Sequence, residues 1–261
     1  MKKDLVPNQI KTSAAHDLLK CLDRYLSNMP VDYNEQLHFE EIPLKEYALQ
    51  SAFLEPRTAL HKVLADLAYV EFYLYPYDDV HSWDAFSQYV RWMFAEMGMT
   101  VPTDFFSFDP NVLRRARDKY RKDFVWGLHN IVVSAFAIAW QRKTLMCEFN
   151  KKLSEQIVLL KKSDHSVLES DGRLPRCTFF PKWIWNRILH RDRGQCQNCG
   201  RMTIAVYDSA ETPHIDHMVP LASGGGNDPT NLQLLCAACN LAKGPKLVDI
   251  RDEYSWPDSR G

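Results

Sequence analysis

The chain carries almost no net charge: 32 Lys and Arg against 33 Asp and Glu leave −1 over 261 residues. That balance excludes a polycation that coats nucleic acid along its length, so any phosphate contact must come from a local patch. Met1, Lys2, Lys3, Asp4 and Leu5 lead into polar sequence with no apolar stretch and no small-residue cleavage site, which predicts no secretory leader. A bilayer-spanning helix needs about 20 apolar residues. The longest apolar run, 124–140, has 17 residues with His129 and Asn130 inside it, and it reads as a buried core helix. The expectation is a soluble, cytoplasmic protein with no membrane partner. No period of roughly 20 to 50 residues recurs, which excludes a solenoid. A disulfide framework is excluded as well, because the seven cysteines are odd in number and four of them stand in C-x-x-C pairs, a metal pattern.

What is present is ordinary globular composition, 46% hydrophobic and 25% charged, which excludes a disordered chain. The length suits one large domain or two modest ones. Residues 1–165 read as successive helices. Apolar stripes at helical spacing predict one over 14–27 (Leu18, Leu19, Leu22, Leu26), one over 58–75 (Leu60, Val63, Leu64, Leu67) and one over 83–97 (Phe86, Val90, Met93, Phe94). A long helix-rich stretch follows over 111–162, with one break near Gly127 or Trp140. Residues 166–176 are polar, with Ser170, Asp171, Gly172 and Pro175, and are the candidate linker. Charge changes beyond it: 173–207 holds seven basic residues and one acid, a local +6, whereas 208–261 is −4. A solvated helix face explains such a basic run as readily as a phosphate contact does.

Cys196 and Cys199 are separated from Cys236 and Cys239 by 36 residues. Two C-x-x-C turns bring four thiolates to one ion, the donor set of tetrahedral zinc, and clamp a module too small for a large core of its own. Cys21, Cys147 and Cys177 read as small packing hydrophobes. Between the pairs, the alternation around His214 and Asp216 predicts a strand that ends at Pro220 and Gly224–Gly226. A second strand leads to Asn231 and beyond, and a short helix covers 234–243. That order lets Asp216, His217, Asn231 and Asn240 converge.

This run resembles the HNH endonucleases, whose motif joins an Asp-His pair to a central Asn about 14 residues on and a final His or Asn nine later. Here His217 is followed by Asn231 after 14 residues and by Asn240 after nine more. The lead-in Trp185-Asn186-Arg187-Ile188-Leu189-His190-Arg191-Asp192 and the knuckle Cys196-Gln197-Asn198-Cys199-Gly200 are similar too. The resemblance spans about 173–250, a third of the chain. It implies a small zinc-stabilised ββα-metal domain (177–261), and with the helical stripes (1–165) and the polar linker (166–176) the expectation is an α+β chain with a mostly α-helical N-terminal domain.

The implied activity is metal-dependent hydrolysis of phosphodiester bonds, DNA favoured. His217 would be the general base, because an imidazole titrates near neutrality. Asn231 would orient its ring. Asp216 and Asn240 would offer hard oxygens to Mg²⁺ or Mn²⁺, beside the structural Zn²⁺ of the four cysteines. Asn240 stands where a His is commonest in the family. His214, two residues from Asp216, reads equally as a group beside the phosphate and as a structural histidine. Arg187, Arg191, Arg193 and Lys243 are the candidate nucleic-acid contacts, with solvation slightly favoured for Lys243 and Lys246. The basic run Arg114, Arg115, Arg117, Lys119, Arg121 and Lys122 reads chiefly as a solvated face, and Gly224–Gly226 as a turn. The helical domain would select targets, dimerise or dock a partner. Restriction or anti-phage defence with separately encoded proteins is the expected setting. The competing reading is a non-catalytic zinc module that grips nucleic acid or protein; a third has the nuclease silent until a partner binds.

Overall fold

The computed structural model describes residues 13–70, 80–203, 213–248 and 250. The leader reading at Met1–Leu5, positions 71–75 of the helix expected over 58–75 and the acidic residues after 250 lie outside the described residues. Among the described residues there are ten α-helices and one two-stranded sheet, in two compact units. The architecture is α+β, mostly helical before the sheet.

The first unit comprises Met1–Ile42 and His61–Ile138. It contains α1 (Ser13–Ser27), α2 (Tyr33–Glu41), most of α4 (Ala59–Tyr69), α5 (Val80–Glu96), α6 (Pro110–Lys119) and most of α7 (Arg121–Gln141). The predicted stripes face inward: Leu18, Leu22, Leu64, Leu67, Phe86, Val90 and Phe94 are all buried. Phe105 sits among Phe86, Phe94 and Tyr120, at ring separations of 6.4, 5.8 and 5.7 Å. Side chains cap two helices that the stripes did not foresee or delimit. The Asp32 carboxylate accepts from Glu35 N–H at the start of α2, and Asp109 accepts from Asn111 N–H at the start of α6, whose first residue is Pro110.

The expected single break in 111–162 is two breaks, at Tyr120 and Arg142, which separate α6, α7 and α8 (Lys143–Ile157). Gly127 lies inside α7 rather than at a break. A side chain there would overlap the Met93 thioether, so this glycine is a packing contact. By length and composition α7 could cross a bilayer. In unit 1 its Phe124, Leu128, Ile131, Val132 and Ala135 are buried.

The second unit comprises Pro43–Leu60 and Ala139–Gly261. It holds α3 (Leu44–Gln50), α8, α9 (Lys182–Arg191), β1 (His214–His217), β2 (Leu232–Leu235) and α10 (Ala237–Lys243). The candidate linker, 166–176, lies within this unit. Leu168 and Leu174 are buried there, and Gly172 N–H donates to Leu160 O at 2.9 Å. Two anchored leucines hold a segment whose overall composition is polar.

β1 and β2 pair antiparallel, with His214 opposite Leu235, Asp216 opposite Gln233 and His217 opposite Leu232. Two strands alone are marginal in water, so the support comes from what packs on them. Ile184 and Ile188, one turn apart on α9, are fully buried with Leu232 and Leu234 of β2. Each such side chain contributes roughly 2 kcal/mol of burial.

The outer edge of β2 is closed by side chains and loop. Arg191 Nη2 donates to Leu232 O, Asp192 Oδ2 accepts from Leu234 N–H at 2.8 Å, and Gln197 N–H donates to Leu234 O at 2.9 Å. These bonds satisfy an edge that would otherwise present unpaired backbone groups.

Candidate functional site

The four paired cysteines converge. Cys196 and Cys199 lie on the turn after α9, Cys236 caps α10 and Cys239 lies in its first turn. Their sulfurs all fall within 4.8 Å of one another. The knuckle is closed by Cys196 N–H to Arg201 O and Gly200 N–H to Cys196 O, both 2.8 Å, with Gly200 at φ 73° where a side chain would be strained.

A tetrahedral ion with Zn–S bonds of 2.3 Å needs sulfurs roughly 3.8 Å apart, and Cys199 and Cys236 stand at 3.9 Å. Crowding splits the thiols. Burial raises Cys196, but backbone N–H groups of Cys236, Cys199 and Asn198 outweigh it and bring the thiol down to about 7. At Cys239 the Asn198 amide lowers the pKa, yet burial and the three neighbouring sulfurs carry it up to about 12. Four thiolates cannot share this space without a cation, so the donor set fits a metal, and its chemistry suits zinc. Cys21 and Cys147 are buried away from the cluster, while Cys177 is half-buried with its Sγ 3.0 Å from Phe179 O.

Alternation along β1 puts His214 and Asp216 on one side of the strand, and α10 lies against that side. Asn240 and Lys243, one turn apart on α10, reach them: Asn240 Nδ2 donates to His214 Nδ1 at 3.0 Å, and Lys243 Nζ stands 3.0 Å from Asp216 Oδ2. Gln233, the cross-strand partner of Asp216, donates to the same oxygen at 3.1 Å. Lys243 Nζ also donates to His217 O at 2.8 Å. Among the described residues nothing donates to Asp216 Oδ1 or Asn240 Oδ1. These two hard oxygens are a donor set that Mg²⁺ or Mn²⁺ accepts.

His217, the last residue of β1, is half-buried beside this cluster. Burial pushes its imidazole below the usual 6.5, Asn227 and Asp216 oppose that shift, and the Lys243 and Arg176 charges add to it. The ring is therefore neutral at pH 7.

The structure corrects three expected roles. Asn231 does not touch the His217 ring. It is fully buried, accepts from Val219 N–H at 2.8 Å, and donates to Val219 O at 2.9 Å and Gly226 O at 2.8 Å. It holds the connection between the strands. The side chain that does meet the ring is Asn227, whose Oδ1 lies 3.1 Å from His217 Nε2. Nothing in the amino-acid order singles out position 227, just past the Gly224–Gly226 turn, because its other partners are remote in sequence.

Arg191, expected on the nucleic-acid face, has a side chain 1% exposed. Its Nε is paired with Asp192 Oδ1 at 2.6 Å, and its guanidinium lies 4.7 Å from the centre of the Trp140 ring. Lys243, a candidate phosphate contact with solvation slightly favoured, is neither: it is 8% exposed and turned onto Asp216. Arg187 and Arg193 are exposed, as their expected role requires.

Residues 196–246 match the HNH endonuclease family model. That segment is thus an HNH domain, and the match points to nuclease chemistry on nucleic acid. No curated protein and no solved structure matches the chain.

Proposed function

We propose that the HNH domain hydrolyses phosphodiester bonds in nucleic acid, DNA foremost, with a hard divalent cation. The observation that carries this reading is a neutral, half-buried His217 that follows Asp216 directly in β1 and feels its charge, with Asn240 of α10 brought to the same strand at His214. His217 is the general base: it takes a proton from the water that attacks phosphorus, and the bridging P–O bond breaks on the opposite side. Asp216 and Asn240 are the residues that would hold the cation, which supplies neutralisation of charge on the scissile phosphate and the leaving oxygen. Lys243 fixes both ends of the pair, through the Asp216 carboxylate and the His217 carbonyl. Arg187 and Arg193, with the exposed Arg176 and Lys182, form the phosphate-facing basic patch. The setting we propose is cytoplasmic restriction or anti-phage defence alongside separately encoded proteins, with the helical unit choosing the target, dimerising or docking.

A second reading, a non-catalytic zinc module, draws on the Lys243–Asp216 ion pair, because the protein's own cation already sits on the expected metal ligand. One experiment separates the two. Supercoiled plasmid and a matched RNA are incubated with the full chain in Mg²⁺, Mn²⁺ or EDTA, beside His217→Ala. Metal-dependent cleavage that disappears in the variant supports the nuclease. Binding without cleavage under every condition supports the module.

A further inference from the structure

Asn227 is 1% exposed, and every polar atom of its side chain is engaged. Its Nδ2 donates to Ala52 O at 2.8 Å and to Pro175 O at 2.9 Å. Carbonyl oxygens only accept, so both amide hydrogens are used and the amide cannot turn over. Its Oδ1 therefore faces Cys177 N–H at 3.3 Å and His217 Nε2 at 3.1 Å. An amide oxygen accepts, so the ring nitrogen opposite it must donate. A neutral imidazole has a single N–H, and Nδ1 is left with the lone pair.

The anchors are set in turn by backbone. Asn227 N–H donates to Ser51 O at 2.6 Å, and Gly226 lies so close to Ser51 that a side chain would overlap its hydroxyl. Residues 51–52 and 175–177 thus grip the loop from outside the 196–246 segment that matches the family.

We infer that Asn227 is a positioning residue that holds His217 in the Nε2–H tautomer, making Nδ1 the proton-accepting atom, and that the chain at 51–52 and 175–177 belongs to the site because it fixes Asn227. The inference rests on the reading of His217 as general base for its consequence, though not for its geometry. It makes the HNH domain dependent on a strap from about 170 residues earlier in the chain, as the 175-residue separation of Asn227 and Ala52 shows.

The test is a long-range ¹H–¹⁵N spectrum of the full chain labelled on histidine, with His217 assigned by His217→Gln. A wild-type ring held as the Nε2–H form supports the inference. An Nδ1–H ring, or averaging between the two forms, overturns it, and this holds even if no Asn227 variant folds. In Asn227→Ala the single form should be lost, and where the wild type cleaves plasmid kcat should fall about 10- to 100-fold with KM nearly unchanged. A tautomer and kcat that survive Asn227→Ala overturn the inference. Because the spectrum needs no substrate, an Nε2–H ring in a protein that cleaves nothing sinks the reading of a nuclease active on its own and leaves the role of Asn227 supported.

Discussion

At the scale of single residues, the sign of the pH response follows from His217. Burial lowers its folded pKa below the usual 6.5, so as pH falls the unfolded chain takes up the proton first. Stability from this group is complete above about pH 6.5 and is lost as pH drops towards the folded value. Chemical denaturation between about pH 7 and pH 5.5 should show a steeper loss for wild type than for His217→Gln; parallel profiles would contradict a desolvated ring. The two arginines one turn apart on α9 should behave oppositely. Arg191→Ala leaves Asp192 buried without its partner, and should cost about 3–5 kcal/mol in denaturant titrations. Arg187 is exposed against the Trp183 ring, 5.8 Å from its centre. Arg187→Ala should leave stability within about 0.5 kcal/mol and reduce the salt slope of DNA binding by about 1.

At the scale of elements, α10 (Ala237–Lys243) and its capping Cys236 serve both the cysteine cluster and the proposed cation ligands. Its N-terminus delivers Cys236 and Cys239 to the sulfur cluster, and Asn240 and Lys243 one turn later meet β1. A two-stranded sheet with so short a helix has little intrinsic stability, so removal of the sulfur-bound metal should unfold the ββα element. Zinc analysis should find about one ion per chain. Strong chelation should then expose 196–246 to protease, and a chelated protein that keeps its resistance would rule out the clamp. Asn240→Ala should keep the zinc yet raise the Mg²⁺ concentration needed for cleavage, whereas Cys236→Ser should lose the zinc itself. The helix thereby couples a structural site to a chemical one through adjacent turns.

For the whole chain, the second compact unit is larger than the segment that matches the family. The α3 region, 43–60, and α8 are part of it. Asn150 of α8 donates to Thr230 Oγ1 at 3.0 Å, and Asp228 accepts from Ala59 N–H at 2.7 Å. The loop between β1 and β2 is therefore built against chain that precedes the linker expected at 166–176. Gly226→Ala should cost about 1–3 kcal/mol, because the new methyl meets Ser51. Ser51→Gly in the same chain should recover part of that loss, and strictly additive effects would deny the contact.

The cysteine clamp, the strand–loop–strand–helix order and the shared face of His214 and Asp216 were legible in the amino-acid order alone. Each depends on spacings of two to four residues, which dictate a turn or a shared face wherever the segment lies. The first helices were legible for the same reason, since a periodic apolar stripe has to be buried. Tertiary structure alone decided that Asn227 rather than Asn231 meets His217, that Arg191 turns inward onto Asp192 and the edge of β2, and that Lys243 closes on Asp216. A polar side chain takes whichever partner remains unsatisfied nearby. For Asn227 those partners are carbonyls 52 and 175 residues distant in the chain, which no local pattern encodes.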